Sequence, residues 1–425
     1  MMILIGLLFL FIFLGIPVAF SVGASSIIYI LLDPTLSETT AVQRLVAGVN
    51  SFTFLAIPFF IFAGNLMNNG GITRRIFEFA AVCVAHVRGG LAHVNVASSV
   101  IFAGMSGAAV ADAGGLGAST IKAMRDKGYG ERVSIGVTAA SSIIGPIIPP
   151  SMAIIVYAIA SSESIERLFA AGIIPGLLMA LSLMIVIYFF SDRLKCPSEK
   201  RASRKALLLA FGRAVPSLMA PVIILGGIFT GIFSPTESAA IACSYAIILS
   251  VIYKDFSFTS FKTSLKESVI TSVQVLVIVA SANLFAWIMT SKEVPQTLAQ
   301  TILSSTDNFL LILLALNILL LVVGLFIETV AAINLLVPIL LPVMVNGFGM
   351  DPVQLGIIVV LNLIIGTLTP PFGTVLFVLS SVSNTPVEKV TKYTATFLPP
   401  LLLVLLFVNL IPGLTLWLPE FFFGK

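Results

Sequence analysis

Long apolar runs dominate the chain, and the polar residues that interrupt them cluster at a few places. Nine segments, at about 3–32, 50–69, 130–160, 166–191, 214–234, 236–254, 268–290, 352–385 and 393–419, are near or above the roughly 20 residues a helix needs to cross a bilayer. Two further apolar regions, about 90–126 and 307–345, are cut in the middle by small and polar residues. The first cut is Gly104-Met105-Ser106-Gly107-Ala108-Ala109-Val110-Ala111-Asp112, and the second is Gly324-Leu325-Phe326-Ile327-Glu328-Thr329. Each arm ahead of its cut is short, and the residues at the cut are wrong for a surface loop. The pattern predicts two re-entrant helical hairpins, each entering and leaving on one face. A pair of spanning helices joined by a tight turn is the alternative.

Two of the apolar segments carry a proline knot at mid-length. Gly145-Pro146-Ile147-Ile148-Pro149-Pro150-Ser151 lies in the segment at about 130–160, and Gly366-Thr367-Leu368-Thr369-Pro370-Pro371-Phe372 in the one at about 352–385. Proline donates no backbone hydrogen bond and clashes with the preceding turn, so each helix is expected to break at membrane depth. The second knot follows the first by about 220 positions, and hairpin and broken helix recur in the same order. Five crossings separate the hairpins, so the second unit is expected upside down relative to the first, the plan of many secondary transporters. The expected domains are a first repeat at 1–192, an amphipathic cytoplasmic connector at 193–213 and a second repeat at 214–425.

Charge placement supports this topology. With a cytoplasmic N-terminus and hairpins that add no net crossing, all but four of the 23 Lys and Arg residues fall on the cytoplasmic side. The exceptions are Arg44, Arg167, Lys292 and Lys425, and the C-terminus is expected outside. Composition agrees: 58% hydrophobic and 10% charged describes a polytopic all-α membrane protein, since soluble chains are about half apolar and a quarter charged. The first apolar segment is too long for a cleaved signal peptide and reads as a spanning helix. The net charge of +4 carries no nucleic-acid signal, and the three cysteines have neither metal nor disulfide spacing.

Candidate chemistry gathers where each hairpin tip would meet a broken helix. Unwound helices free carbonyl oxygens, which suit a hard cation such as sodium, and at least two ions are expected. In the first repeat the candidate ligands are the backbone at Gly104, Gly145, Ile148 and Pro149 with the Ser106 hydroxyl. In the second they are the Gly324, Gly366, Thr369 and Phe372 carbonyls with the Thr329 and Thr369 hydroxyls. A pair of kinks satisfied by neighbouring helices is the other reading. The half-helices opening at Ser151 and at Phe372-Gly373 aim their N-termini inward and suit a carboxylate, with Ser106, Ser151 and Thr374 as hydroxyl partners. Asp112 and Glu328 are ionisable groups at membrane depth, which are costly and usually functional. Glu328 reads as a group at the substrate or coupling-cation site ahead of a helix N-cap, while Asp112 reads equally as a site residue or as a cap of the hairpin's second helix. Lys292 reads either as an anion-attracting residue or as a solvated interfacial lysine, and His86 and His93 have no partners at metal spacing. An intramembrane hydrolase using Asp112 and Glu328 lacks any accompanying protease motif. Matched tips suit alternate closure better than an open channel.

The run Ser106-Gly107-Ala108-Ala109-Val110-Ala111-Asp112, the Gly-Pro-x-Ile-Pro-Pro-Ser knot and Gly366-Thr-Leu-Thr-Pro-Pro-Phe-Gly together resemble the large membrane subunit of tripartite ATP-independent periplasmic (TRAP) transporters. The resemblance spans essentially the whole chain. It implies an elevator-type secondary transporter of the bacterial inner membrane, coupled to sodium and not an enzyme. It also implies a separate small four-helix membrane subunit, a periplasmic substrate-binding protein, and an organic acid substrate such as sialic acid or a C4-dicarboxylate. A stand-alone sodium-coupled anion transporter of the same architecture is the alternative.

Overall fold

Glycine and proline decide where this chain stops being helical. In the computed structural model, which describes residues 2–191, 196–197, 202–306, 308–370 and 373–424, every regular element is a helix. The side chains of residues 105, 106, 303 and 305 lie outside the described set.

The first apolar segment is two helices, α1 (Met2–Phe13) and α2 (Val18–Leu32), and not the single crossing expected at 3–32. Gly15 takes a left-handed φ of 80° and Pro17 has no N–H to continue the ladder, so the chain breaks between them. α1 packs on α2, and α2 runs along α14 (Phe258–Ser291). α3 (Glu38–Ala47) follows, then a short 3-10 turn that runs into α4 (Ala56–Asn69). α5 (Ile72–Val84) starts at a left-handed Gly71, is amphipathic and packs against α6.

The first interrupted region forms α6 (Gly90–Ser106), α7 (Ala109–Gly114) and α8 (Leu116–Asp126), with the break at Gly107. The first broken helix is α9 (Glu131–Ser142) followed by α10 (Met152–Ser161). Three long helices come next: α11 (Ile165–Phe190), α12 (Arg204–Phe229) and α13 (Pro235–Ile252), ahead of α14. α12 opens at Arg204, capped by Ser203, so the end of the expected connector is the start of a long continuous helix. Nothing between 204 and 213 breaks a helix, so this stretch is continuous with the segment that follows it.

The second interrupted region repeats the order. α15 (Val294–Ser305) leads into α16 (Phe309–Phe326) and α17 (Thr329–Leu341), which ends in a π turn over Pro342–Gly347. The second broken helix is α18 (Pro352–Gly366) and α19 (Thr374–Ser383). The expected crossing at 393–419 is instead α20 (Val387–Thr394), α21 (Leu398–Leu410) and α22 (Gly413–Phe423), with a 54° bend between α20 and α21. Pro412 and Gly413 divide the last two helices.

Among the described residues, seven helical segments are long and apolar enough to cross a membrane, so the chain is a multi-pass membrane protein. α16 and the stretch Thr329–Gly347 both pass on length and composition, so these criteria leave the spanning-pair alternative for the second region standing.

The centre of the molecule is made of the two broken helices. α9 is buried at every position from Val133 to Ser142, and α18 at every position from Val353 to Gly366. Both are buried on every face, α9 with Ser134, Thr138, Ser141 and Ser142 and α18 with Gln354 and Asn362 as the polar residues inside. Their second halves end alike, on left-handed Ser162 (φ 60°) and Asn384 (φ 51°). Around them α14, with 34 residues, reaches about 51 Å, more than a bilayer core. It is pinned to α4 by polar contacts: Asn65 donates to Ser268 Oγ at 2.8 Å and Asn69 to Ser264 Oγ at 2.8 Å.

Lys292, at the end of α14, is only partly solvated and is held in an ion pair. Its Nζ lies 2.6 Å from the Asp33 carboxylate and 3.0 Å from Thr35 Oγ1, tying the exit of α2 to α14. Lys292 and the two Thr35 donors hold the Asp33 carboxyl well below the usual carboxylate range, and Asp33 pushes the lysine up. Asp33 therefore contributes stability above the ordinary carboxylate pKa and loses it as pH falls through its depressed folded value. Lys292 contributes below the ordinary lysine pKa and loses it as pH rises through its raised one. Lys292→Met should lower the melting temperature in detergent equally at about pH 6 and about pH 8, and by less at about pH 2. A penalty that persists unchanged in acid would show that the lysine acts through packing and not through charge.

Candidate functional site

A cavity of about 410 Å³ lies where the interruptions converge. The first tip contributes Gly107 to Ala111, the second Glu328, Thr329 and Val330, the first broken helix Pro146, Met152 and Ala153, and the second Ile364, Thr367 and Thr374. One long helix closes the remaining side with Thr271, Gln274, Val275 and Ile278 of α14. Packing around it is crosswise. α10 lies on α17, the arm of the other tip, while α19 lies on α7 and α8 of the first.

The glycines of the interruptions are places where backbones or carboxylates meet. A Cβ on Gly107 would fall 2.4 Å from the Pro150 carbonyl oxygen, so the first tip touches the first knot. A Cβ on Gly366 would fall 2.7 Å from Gly324 Cα, a contact of two backbones. Gly104 faces Pro221 of α12 and comes toward the Pro149 carbonyl. The structure thus brings Gly104 toward Pro149 and Gly324 against Gly366.

Other expected residues lie differently. Ser151 caps α10, accepting from Ile154 N at 3.2 Å and donating to the Pro146 carbonyl, so its buried hydroxyl closes the break and does not line the cavity. Ile148 is buried against Gly176 of α11. Asp112 also lies behind the cavity wall, 2% exposed, its Oδ2 2.4 Å from where a Gly145 Cβ would stand. Glu328 caps α17, its Oε2 accepting from Val330 N at 2.9 Å and Ala331 N at 3.3 Å, and its side chain is open to the cavity. Thr329 and Thr374 line the cavity, and Thr369 Oγ1 bonds back to Ile365 O at 3.3 Å. The Ser106 side chain and all of Phe372 lie outside the described residues. His93 is hydrogen-bonded to the Arg88 carbonyl, a structural role.

Thr271, Gln274 and Thr367 are lining residues that the sequence reading missed. Gln274 had a signal, a lone amide between valines deep in an apolar helix.

The oxygen atoms can hold a hard cation. The carbonyls of Thr367 and Thr369 converge on Gly373, where a Cβ would sit 2.5 and 2.8 Å from them, and Asp112 Oδ2 meets Gly145 with the Ser142 carbonyl nearby. Both are cradles that only glycine leaves open. No group of three His, Cys, Asp or Glu side chains gathers among the described residues, so carbonyls, hydroxyls and single carboxylates are the available donors. Among the described lining residues there is no Lys, Arg or His, and helix N-termini are the positive features these residues present to the cavity.

Residues 5–414 match the family described as the tripartite ATP-independent periplasmic transporter, DctM component. The chain belongs to this family. It is 44% identical to the sialic acid TRAP transporter large permease protein SiaM of Vibrio cholerae, over 97% of this chain and 96% of that one. It is 38% identical to the C4-dicarboxylate TRAP transporter large permease protein DctM of Pseudomonas aeruginosa, over 94% of each. Its fold is similar to that of the YdaH transporter of Alcanivorax borkumensis, with a TM-score of 0.60 at 14% identity over 89% of this chain and 87% of the other. A TRAP large permease is a transport protein, and the site is to be read as a place of binding and release.

Close backbone contact at the second tip gives a sharp expectation. Gly366→Ala drives a Cβ into the Gly324 backbone, which cannot swing aside, whereas a Cβ on Gly226 of α12 meets nothing within 4 Å. Gly366→Ala should abolish uptake and lower the melting temperature, and Gly226→Ala should do neither. Wild-type uptake by Gly366→Ala would mean that the two backbones do not need to touch.

Proposed function

We propose that this chain is the translocating subunit of a sodium-coupled importer of an organic acid anion in the bacterial inner membrane. It would work with a small membrane subunit and a periplasmic substrate-binding protein. The observation that carries the proposal is the shared cavity, lined by both tips, both broken helices and one long helix.

Two tips that meet at an interior cavity favour re-entrant hairpins over spanning pairs, because a turn between full crossings would sit at the membrane surface. The recurrence of tip and broken helix, with matching left-handed ends, supports two repeats of opposite orientation, at about 1–192 and 214–425. In the elevator reading, hairpins and broken helices form a block that slides past a frame containing α4, α13 and α14. Sodium would be held by the oxygens at Gly145 and Gly373, with the Thr329 and Thr369 hydroxyls and the tip backbones as further ligands. The ion would supply the positive charge that the lining lacks. Residues of the chain itself do the rest: Ser151 and Glu328 keep the half-helix openings shaped, and the free N–H groups at Thr374 receive a carboxylate. The names of the similar permeases point to sialic acid or a C4-dicarboxylate as the substrate class.

Reconstitution tests the proposal. Uptake should require an inward sodium gradient together with the small subunit and the binding protein, and uptake by this chain alone would contradict the tripartite reading. Thr369→Ala should shift the sodium concentration for half-maximal uptake by about tenfold, the equivalent of about 1.4 kcal/mol, and an unchanged sodium response would remove Thr369 from the ligand set. Glu328→Gln keeps a capping oxygen and removes the charge. If the charge serves coupling, uptake falls while thermal stability holds; wild-type uptake would leave Glu328 as a cap.

A further inference from the structure

Away from the cavity, each repeat carries a buried polar network between the leading arm of its hairpin and the first half of its broken helix. In the second repeat Asn317 of α16, Asn362 of α18 and Asn409 of α21 meet. Asn362 Nδ2 donates to Asn317 Oδ1 at 2.9 Å, Asn317 Nδ2 to Asn409 Oδ1 at 2.8 Å, and Asn409 Nδ2 to Asn317 Oδ1 at 3.0 Å. Each amide spends its other N–H on the carbonyl four residues back in its own helix. In the first repeat Asn95 of α6 donates to Thr138 Oγ1 of α9 at 2.6 Å, and Ser141 Oγ donates to Asn95 Oδ1 at 3.4 Å. Asn95 lies on its arm ahead of Gly104 and Asn317 on its arm ahead of Gly324, each about two to two and a half turns before that glycine though not at the same helical position. Ser141 and Asn362 stand at matching places four residues before Gly145 and Gly366.

Stability alone does not account for the asparagines. Asn362 is fully buried and its Oδ1 has no hydrogen-bond partner among the described residues. Leucine, the residue type that surrounds Asn317 and Asn409, would occupy the same positions without that cost. A buried amide does what leucine cannot: it fixes one rotation and one height of helix against helix. Two networks of different composition, each joining the leading arm to the same place on the broken helix, point to the same mechanical need.

We propose that these networks are clasps that hold each hairpin arm in register with the broken helix of its own repeat, so that tip and unwound carbonyls move together and the cation cradles stay assembled through the cycle. The residues are positioning residues, and the proposal rests on the moving-block reading above.

The test uses the assembled transporter in a background with Cys83, Cys196 and Cys243 replaced by alanine. Asn317→Cys with Asn362→Cys removes the clasp, and Hg²⁺ restores it as a covalent bridge. With free thiols the sodium response of uptake should weaken about five- to tenfold, the size expected for lost interhelical amide bonds, and bridging should recover most of it. Asn95→Cys with Ser141→Cys should behave alike and serves if the first pair fails to fold. A bridge that stops the residual uptake, or free-thiol variants with a wild-type sodium response, would overturn the proposal. Phe285→Cys with Leu335→Cys, in one buried cluster shared by α14 and α17, tests the underlying reading separately. Bridging that pair should arrest uptake, and unhindered uptake there would defeat the moving block while leaving the clasp result interpretable.

Discussion

A lipid bilayer offers no water to a broken helix, and the architecture follows from that. Each freed backbone N–H or C=O in hydrocarbon costs several kcal/mol unless protein or an ion meets it. Four interruptions reach the centre of this chain, at Gly107, Gly145 to Ser151, Ile327 to Glu328 and Gly366 to Gly373. They survive because they are gathered. Ser151 and Glu328 cap the helices that restart, and the tips supply backbone to the knots at Gly107 and Gly324. What is left over, carbonyls facing glycines and amides facing a cavity, is a description of a binding site.

The surroundings have to be firm for the site to be open. α9 and α18 are buried at every position, which makes them the axis around which the tips are arranged. α14 presents Thr271 and Gln274 to the cavity while its earlier turns are held to α4 through serines and asparagines. No basic side chain is among the described lining residues, so under the proposed function an anion here would depend on helix N-termini and on a co-bound cation. Such a site would have little reason to accept the anion before the cation, which is the logic of symport.

Much of this was legible in the sequence because proline and glycine speak about backbone, and backbone is what the site is made of. Both knots, both interruptions and the pairing of Gly324 with Gly366 could be read from residue types alone. What could not be read was which way side chains turn. Ser151 sits at the mouth of a half-helix, yet its hydroxyl is spent on Pro146 and Ile154. Asp112 lies behind the wall, and Lys292 is held by Asp33, a partner more than two hundred residues away in sequence. Hydropathy windows also smoothed over Gly15 to Pro17 and Pro412 to Gly413, where short apolar helices follow one another without a polar gap.

The central claim is that the cavity between the two tips is where the solute sits. A single cysteine at Thr374, at the start of α19 and open to the cavity, tests it by labelling with a small thiol reagent. Substrate together with sodium should slow labelling strongly while substrate without sodium slows it little. Labelling at one rate with and without both would place the solute elsewhere.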